Sequence, residues 1–305
     1  MAFNEAKYKK VYIGDKSGKA KLLYAPTGVY RTTATELSKA RYYLDATTVG
    51  NYALFGGGKD TDDNYYDTVD AYDASLTRTT ATSLSVGREG AEATTIGNYA
   101  LFGGGYNNKA ISYPYASDVV DVYDASLTRT AATSLSYPRH SIESTTVGNY
   151  ALFGGGYNSK ANHSYLDTVD AYDASLTRSV PTVLSIARDL HAATTVGNYA
   201  LFGGGAQWYD PTRVSTVDAY NTSLTRTTPT ELSVGRENLA GATVGNYALF
   251  GGGLDKNGST NVVDAYDTSL TRSIPTVLSK KGGNIITAII GNYALFGGGE
   301  LDTVD

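Results

Sequence analysis

The chain has 305 residues, with 34 glycines, 26 tyrosines, no cysteine and a net charge of -5. No cysteine excludes a disulfide framework and a thiolate nucleophile or metal site, and His140, His163 and His191 alone give little material for a zinc or iron centre. A pI near 5.3 speaks against a general nucleic-acid binder, while 41% hydrophobic residues suffice for a packed core. No stretch approaches the roughly 20 apolar residues that span a bilayer, so no membrane insertion is expected. The start, MAFNEAKYKK, lacks an apolar h-region and predicts no cleavable secretory signal.

In chain order, residues 1–23 come first. The runs KVYI (10–13) and AKLLY (20–24) flank GDKSG (14–18), which predicts a β-hairpin extension. From residue 24 to 305 the chain repeats itself. The string GNYALFGGG begins at Gly50, Gly97, Gly148, Gly197, Gly245 and Gly291. A second string, VDAYDASLTR or a near variant, begins at Val69, Val120, Val169, Val217 and Val263. One unit is therefore written six times.

Each unit reads as four short strands. In the second, Arg88 to Ile96 predicts the first strand, and Gly97-Asn98 a tight turn of residues that accept positive φ. Tyr99 to Phe102 is an apolar run suited to a strand buried on both faces. Val119 to Tyr123 predicts the third strand, and Leu127 to Leu135, rich in threonine, the fourth. Helix signals are missing. Four-stranded units of this length, repeated six times, predict an all-β fold, a six-bladed β-propeller. Its blades fall near 41–85, 88–136, 139–185, 188–233, 236–279 and 282–305. The last stops at its third strand, and residues 29–38 match 76–85 at seven of ten positions. The expectation is that 29–38 supplies the outer strand of the sixth blade and closes the ring, which removes exposed sheet edges.

Length variation falls between the GGG triplet and the third strand. Those loops, and the lead-in to each first strand, are expected on one end of the blades, where a rigid scaffold presents binding residues. The candidate ligand-binding residues are Tyr65, Tyr66, Tyr106, Tyr113, Tyr115, Tyr157, Tyr165, Trp208 and Tyr209 in the loops. The lead-ins add Arg41, Tyr42, Arg88, Glu89, Arg139, His140, Arg188 and Arg236. Tyr, Trp and Arg are the types that anchor interfaces, and the loop amides Asn107, Asn108, Asn158, Asn162 and Gln207 complete a paratope-like mixture. The five arginines have an equal structural reading, as ties for the blade links. Asp45, Glu92 and Glu143 share one first-strand position and form an acidic half-ring near the channel, either a cation site or groups paired with nearby arginines.

A short apolar strand ending in glycines, a Tyr after Val-x-x, and an Arg before the next first strand together resemble the kelch repeat. The resemblance covers residues 24–305 and implies a propeller of this blade size. One departure stands: kelch units carry a Trp on the fourth strand where this chain has Arg78-Thr79. The KVYIGD…SGKAKLLY segment is similar to short strands in bacteriophage tail and prophage-encoded surface proteins, which implies attachment to a larger assembly through 1–23. Kelch-type propellers include a copper oxidase, whose cysteine-linked tyrosine this chain cannot form, and a sialic-acid mutarotase, which needs only polar groups at the channel mouth. The expectation is a monomeric, non-enzymatic binding module for a glycan or protein, with no cofactor, no metal and no catalytic residue. It would be cytoplasmic at synthesis or part of a virion or tail particle. A sugar-modifying enzyme of the mutarotase type and a structural or adhesin scaffold are the alternatives.

Overall fold

The structure, a computed structural model, describes residues 11–14, 20–24, 34–112, 115–158, 164–207, 213–299 and 303–305. Among them are strands and turns and no helix. The chain forms two compact units, 1–36 and 37–305. In the first, Val11–Gly14 pairs antiparallel with Ala20–Tyr24.

Among the described residues the second unit has five four-stranded antiparallel sheets, each built from the strands of one repeat; in the third and fifth repeats a two-stranded pair, Tyr157–Asn158 with Ser164–Tyr165 and Leu254–Asp255 with Gly258–Ser259, interrupts the sequence order. The second repeat is representative: Glu92–Ile96, Tyr99–Gly103, Val120–Tyr123 and Arg129–Ala131 lie side by side in that order. In the sixth repeat Ile286–Ile290 pairs with Tyr293–Gly297. Beside them, Phe296 and Asp305 exchange backbone hydrogen bonds of 2.9 and 3.0 Å, the start of a third strand. Repeated four-stranded antiparallel sheets of this kind fit a propeller.

Three local features differ from the sequence expectation. The first strand of the second repeat begins at Glu92 rather than Arg88. The cause is a left-handed residue two places after each lead-in position: φ is 55° at Tyr43, 58° at Gly90, 51° at Ser141, Leu190 and Asn238, and 55° at Asn284. In the tight turns only the glycine has positive φ (Gly97, 55°), so the turn is of the II′ type, with glycine at its first central position. The fourth strand starts late, at Arg78 in the first repeat, because the turn before it holds a left-handed leucine, Leu76 at φ 62°. Asp73 makes that conformation tolerable: its Oδ1 accepts from the backbone N–H of Ser75 and of Thr77, both at 2.9 Å.

The glycine triplet is where neighbouring repeats meet. The first glycine is a notch for the phenylalanine of the next repeat: a Cβ on Gly103 would lie 3.0 Å from Phe153 Cε1, and one on Gly154 2.8 Å from Phe202 Cε1. The third donates its N–H across the junction, Gly105 to Arg139 O at 3.0 Å and Gly156 to Arg188 O at 2.9 Å. Five hydrophobic clusters follow the same plan, each shared by two successive repeats. Among the described residues no such cluster joins the sixth repeat to the first. Ile286, Ile289, Ile290 and Tyr293 are exposed there, Ile286 at 72%.

Buried charge reinforces each junction. The aspartate of VDAY, which breaks an otherwise apolar strand, is buried between two arginines in five repeats. Asp121 meets Arg88 and Arg129, both at 2.9 Å, and Asp218 meets Arg188 and Arg226, both at 2.8 Å. The lead-in arginine also donates to the carbonyl of the strand-two phenylalanine, Arg188 to Phe202 O at 3.0 Å. A serine at the end of the preceding repeat donates to the same carboxylate, as Ser185 does to Asp218. The pattern extends to both ends of the unit: Ser38 bonds to Asp70, and Ser279 to Asp305.

Candidate functional site

The lead-in segments and the loops after GGG meet at one end of the sheets through backbone pairing. Tyr106 N donates to Glu89 O at 2.8 Å and Glu89 N to Tyr106 O at 3.1 Å. Isolated bridges repeat this between Tyr42 and Lys59, His140 and Tyr157, Asp189 and Ala206, and Glu237 and Leu254. Residues about 17 apart in sequence therefore sit beside each other in every repeat from the first to the fifth.

On this frame the aromatic candidates form a continuous run across three repeats. Ring centroids lie 6.3 Å apart for Tyr65 and Tyr106, 5.3 Å for Tyr106 and His140, 5.5 Å for His140 and Tyr157, and 5.4 Å for Tyr157 and Tyr165. Tyr115 packs edge-on against Tyr106 at 6.1 Å. At the near end Lys59 Nζ stands 5.8 Å from the Tyr42 ring and 5.7 Å from Tyr65, while it also pairs with Glu89 at 3.3 Å. The Tyr65–Tyr106 pair is tilted and the others are edge-to-face, at distances typical of mutually supporting rings. Tyr66 stands apart from the run: its hydroxyl donates to Asp60 Oδ2 at 2.7 Å within its own loop. Tyr113, Trp208 and Tyr209 lie outside the described residues.

The five lead-in arginines belong elsewhere. The side chains of Arg41, Arg88, Arg139, Arg188 and Arg236 are 0% exposed and each is paired with an aspartate. A ligand on the loop face does not reach them, which corrects their place among the ligand-binding candidates. Each of these guanidinia is held by a carboxylate and by a backbone carbonyl of the second strand as well, as Arg139 is by Phe153 O at 3.1 Å. Three of the five loop amides are likewise committed, while Asn162 lies outside the described residues. Asn107, Asn158 and Gln207 each donate to the carbonyl just before a lead-in arginine, at Gly87, Pro138 (2.7 Å) and Ala187 (2.6 Å). They pin the loop rather than project from it.

Inward from the aromatic run lies a cavity of about 740 Å³, lined by residues of all six repeats. The six left-handed residues, Tyr43 to Asn284, form its wall, with Glu89, Glu92, Tyr106, His140 and Glu143 on one side. Ile142, Leu190, Leu239, Ile285 and Ile286 supply most of the apolar lining. Among the described residues no lysine or arginine lines it.

Of the acidic half-ring, Glu92 and Glu143 line this cavity, and among the described residues no arginine forms an ion pair with Asp45, Glu92 or Glu143. Asp45 accepts from Ala93 N at 2.6 Å and Ala46 N at 2.7 Å, tying the first strands of adjacent repeats. Burial raises the Glu143 carboxyl to about 8, with the charge of Asp45 adding to the shift. Burial, then Asp45 and Glu143, hold Glu92 well above its ordinary value. Burial also lowers His140 to about 4, so its ring is neutral near pH 7. His191 is the residue that reading the sequence for ligand contacts passed over. It takes the position that is Ile142 in the third repeat and Leu239 in the fifth. It lines the cavity, is 1% exposed and packs 5.8 Å, ring to ring, from Phe202. Among the described residues no group of three or more His, Cys, Asp or Glu is arranged to hold a metal ion.

No family model matches the chain, and no curated protein matches it.

Proposed function

We propose that this chain is a non-enzymatic binding module that presents its tyrosine-rich loop end to a glycan or protein. The observation that carries this reading is the run of rings from Tyr65 through Tyr106, His140 and Tyr157 to Tyr165, packed against one another on loops of a repetitive frame. Rigid amphipathic rings lose little entropy on binding and suit either sugar stacking or a protein interface. The opposite end carries a five-residue turn of constant length, DASLT in the first three repeats, NTSLT in the fourth and DTSLT in the fifth, and offers no comparable variation. The resemblance of 1–23 to tail and prophage surface proteins adds a carrier: attachment to a larger particle, with the loop end facing a receptor. A glycan array and a pull-down from bacterial surface extract would supply the ligand. Against it, the pair Tyr115→Ala with Tyr165→Ala is expected to lose at least about thirtyfold in affinity, the equivalent of about 2 kcal/mol for a buried aromatic anchor. Ser75→Ala and Ser126→Ala, in the opposite turns, should bind as the parent does. Full affinity in the tyrosine variants, or loss confined to the serine variants, would overturn the assignment.

The same reading takes the six repeats as a closed, kelch-like, six-bladed ring, with 29–38 completing the last blade. Its supports are the match of 29–38 to 76–85, the Ser38–Asp70 bond that repeats the junction found between successive repeats, and a cavity shared by all six repeats. Deleting residues 1–38 is then expected to lower the melting temperature and to promote self-association through the unpaired outer edge it leaves on the sixth repeat. A monomer with unchanged melting would rule the closure out.

A further inference from the structure

We infer that the turn end, opposite the loops, carries a row of equivalent shallow sites, one at each junction between successive repeats, that together hold a neutral polysaccharide. The inference makes no use of the loop end and stands apart from the reading of that end.

At the turn end each repeat abuts the next in the same way. A Cβ on Gly50 would lie 2.9 Å from Ala125 Cβ, and one on Gly97 3.3 Å from Ala174 Cβ. One on Gly148 would lie 3.0 Å from Thr222 Cγ2, and one on Gly197 3.0 Å from Thr268 Cγ2. Four successive junctions are therefore built alike. At the third, a groove is lined by Asn149, Tyr150, Asp173 and Ser175 of one repeat and Thr222 of the next. Tyr150 and Asp173 are direct cross-strand partners, which sets the ring beside the carboxylate.

Most of the constancy of this end has a structural cause. The glycine supplies the positive φ of the turn, and Asp173 Oδ1 accepts from Ser175 N at 2.9 Å, Ser175 Oγ at 2.7 Å and Thr177 N at 2.9 Å. Three groups are left over. Among the described residues the Asn149 side chain, the Tyr150 hydroxyl and Asp173 Oδ2 have no hydrogen-bond partner. A Gly-Ser or Gly-Asp turn would fold as well as Gly-Asn, and a phenylalanine ring would pack as well as tyrosine. Yet Asn-Tyr follows the glycine in all six repeats, and each of these asparagines is exposed. Shared origin of the repeats does not account for this. The exposed outer-strand position two places after the arginine is Thr80, Ala131, Val180, Thr228 and Ile274, so exposed surface elsewhere has drifted.

The groups left over define a ligand. The Ser175 hydroxyl holds the Asp173 carboxyl below its ordinary value, so Oδ2 is a charged acceptor at neutral pH. In the fourth repeat the same place is Asn221, which keeps the oxygen and drops the charge. The common property is an acceptor rather than a charge, which fits hydroxyl groups and not a cation. An amide both donates and accepts, and a half-exposed aromatic ring can cover the C–H face of a pyranose. A single shallow site of this kind is weak. Sites repeated in series favour a ligand that repeats its own units, since linked sites gain roughly 10²–10⁴ in avidity.

The test is surface plasmon resonance of the full chain over immobilised dextran, galactan and mannan, with poly-L-lysine as the cationic arm. At least one polysaccharide is expected to bind about a hundredfold more tightly than its own monosaccharide competes in solution. The variant Asn98→Gly, Tyr99→Phe, Asn149→Gly, Tyr150→Phe keeps both turns and both packed rings, and should lose at least about tenfold in affinity at an unchanged melting temperature. The milder pair Asn98→Ser, Asn149→Ser, which stays within the same turn chemistry, should weaken binding in the same direction. Tyr115→Ala with Tyr165→Ala should bind the polysaccharide as the parent does, so failure of this inference and failure of the loop-end reading are separate results. Binding to none of the three polysaccharides, to poly-L-lysine in their place, or to polymer no more tightly than to monosaccharide would overturn the inference. So would full affinity in the turn variants, or loss through the loop tyrosines.

Discussion

Gly104→Val is expected to abolish folding, whereas exchanging residues 107–115 for a short Gly/Ser linker should leave the melting temperature within a few degrees of the parent. Gly104 has φ +71°, and a Cβ there would lie 2.7 Å from Arg139 O and 2.9 Å from Ile142 Cδ1. Both the left-handed backbone and the contact with a neighbouring repeat's carbonyl act against a β-branched side chain. The obstruction is backbone, which cannot move aside without breaking the adjacent Gly105–Arg139 hydrogen bond at 3.0 Å. The damage therefore spreads to the second-to-third junction. The loop, by contrast, sits at the end of the sheets, and changing a loop's length costs only about 0.6 kcal/mol per doubling. It does lose the Asn107 clamp on Gly87, which adds roughly 0.5–1.5 kcal/mol for a hydrogen bond. Soluble expression followed by thermal melting distinguishes the two variants. A folded Gly104→Val protein, or a loop exchange that also fails to fold, would refute the division into rigid junctions and replaceable loops.

Much of this frame was legible from repetition. Six copies of NYALF with a following glycine triplet set the strand count, and the loop lengths located the irregular end. What was not legible depends on contacts between residues far apart in sequence. The sequence shows an aspartate inside the apolar VDAY strand, and five copies of such an intrusion already require a buried counter-ion. The partner is the lead-in arginine, 29 residues earlier for Asp70 and 33 earlier for Asp121, a spacing that varies with the loop and so hides from simple inspection. Reading those arginines as ligand contacts put them on the right end of the sheets but at the wrong depth. The left-handed position two places on is invisible for a similar reason. Gly90 and Asn238 accept it readily, but Tyr43 and Leu190 do so only because the surrounding backbone imposes it. Pinned amides such as Asn158 look, in sequence, like the adaptable polar residues of a binding loop, and only the bond to Pro138 O reveals the difference.

Asp170→Ala is expected to cost about 3–5 kcal/mol, the range for breaking one side of a buried ion pair. Its carboxylate accepts from Arg139 Nη2 at 2.8 Å, Arg178 Nη1 at 3.1 Å and Ser136 N at 3.1 Å. Ser136 ends the second repeat while Asp170 belongs to the third, so one side chain ties the two together. The two arginines respond differently to its loss. Arg178 is about one-quarter exposed and can turn toward water, but Arg139 is fully buried and cannot. An uncompensated guanidinium inside the protein is the dominant penalty, larger than the loss of the attraction itself. That makes a specific contrast testable. Arg139→Met combined with Asp170→Leu removes both buried charges and replaces them with apolar volume, and should recover at least half of what Asp170→Ala loses. Urea unfolding, read as a change in midpoint at constant slope, measures both variants. If Asp170→Ala costs less than about 1 kcal/mol, the level of an exposed surface pair, the arginine-aspartate groups are not what holds the repeats in register. If instead the double variant is as unstable as the single one, geometry at the junction, rather than buried charge, sets the cost. The expected outcome, a large single loss and a substantial recovery, would mean that Arg139 and its four counterparts serve the rigidity of the frame, and that the loop end is free to vary because the layer beneath it is not.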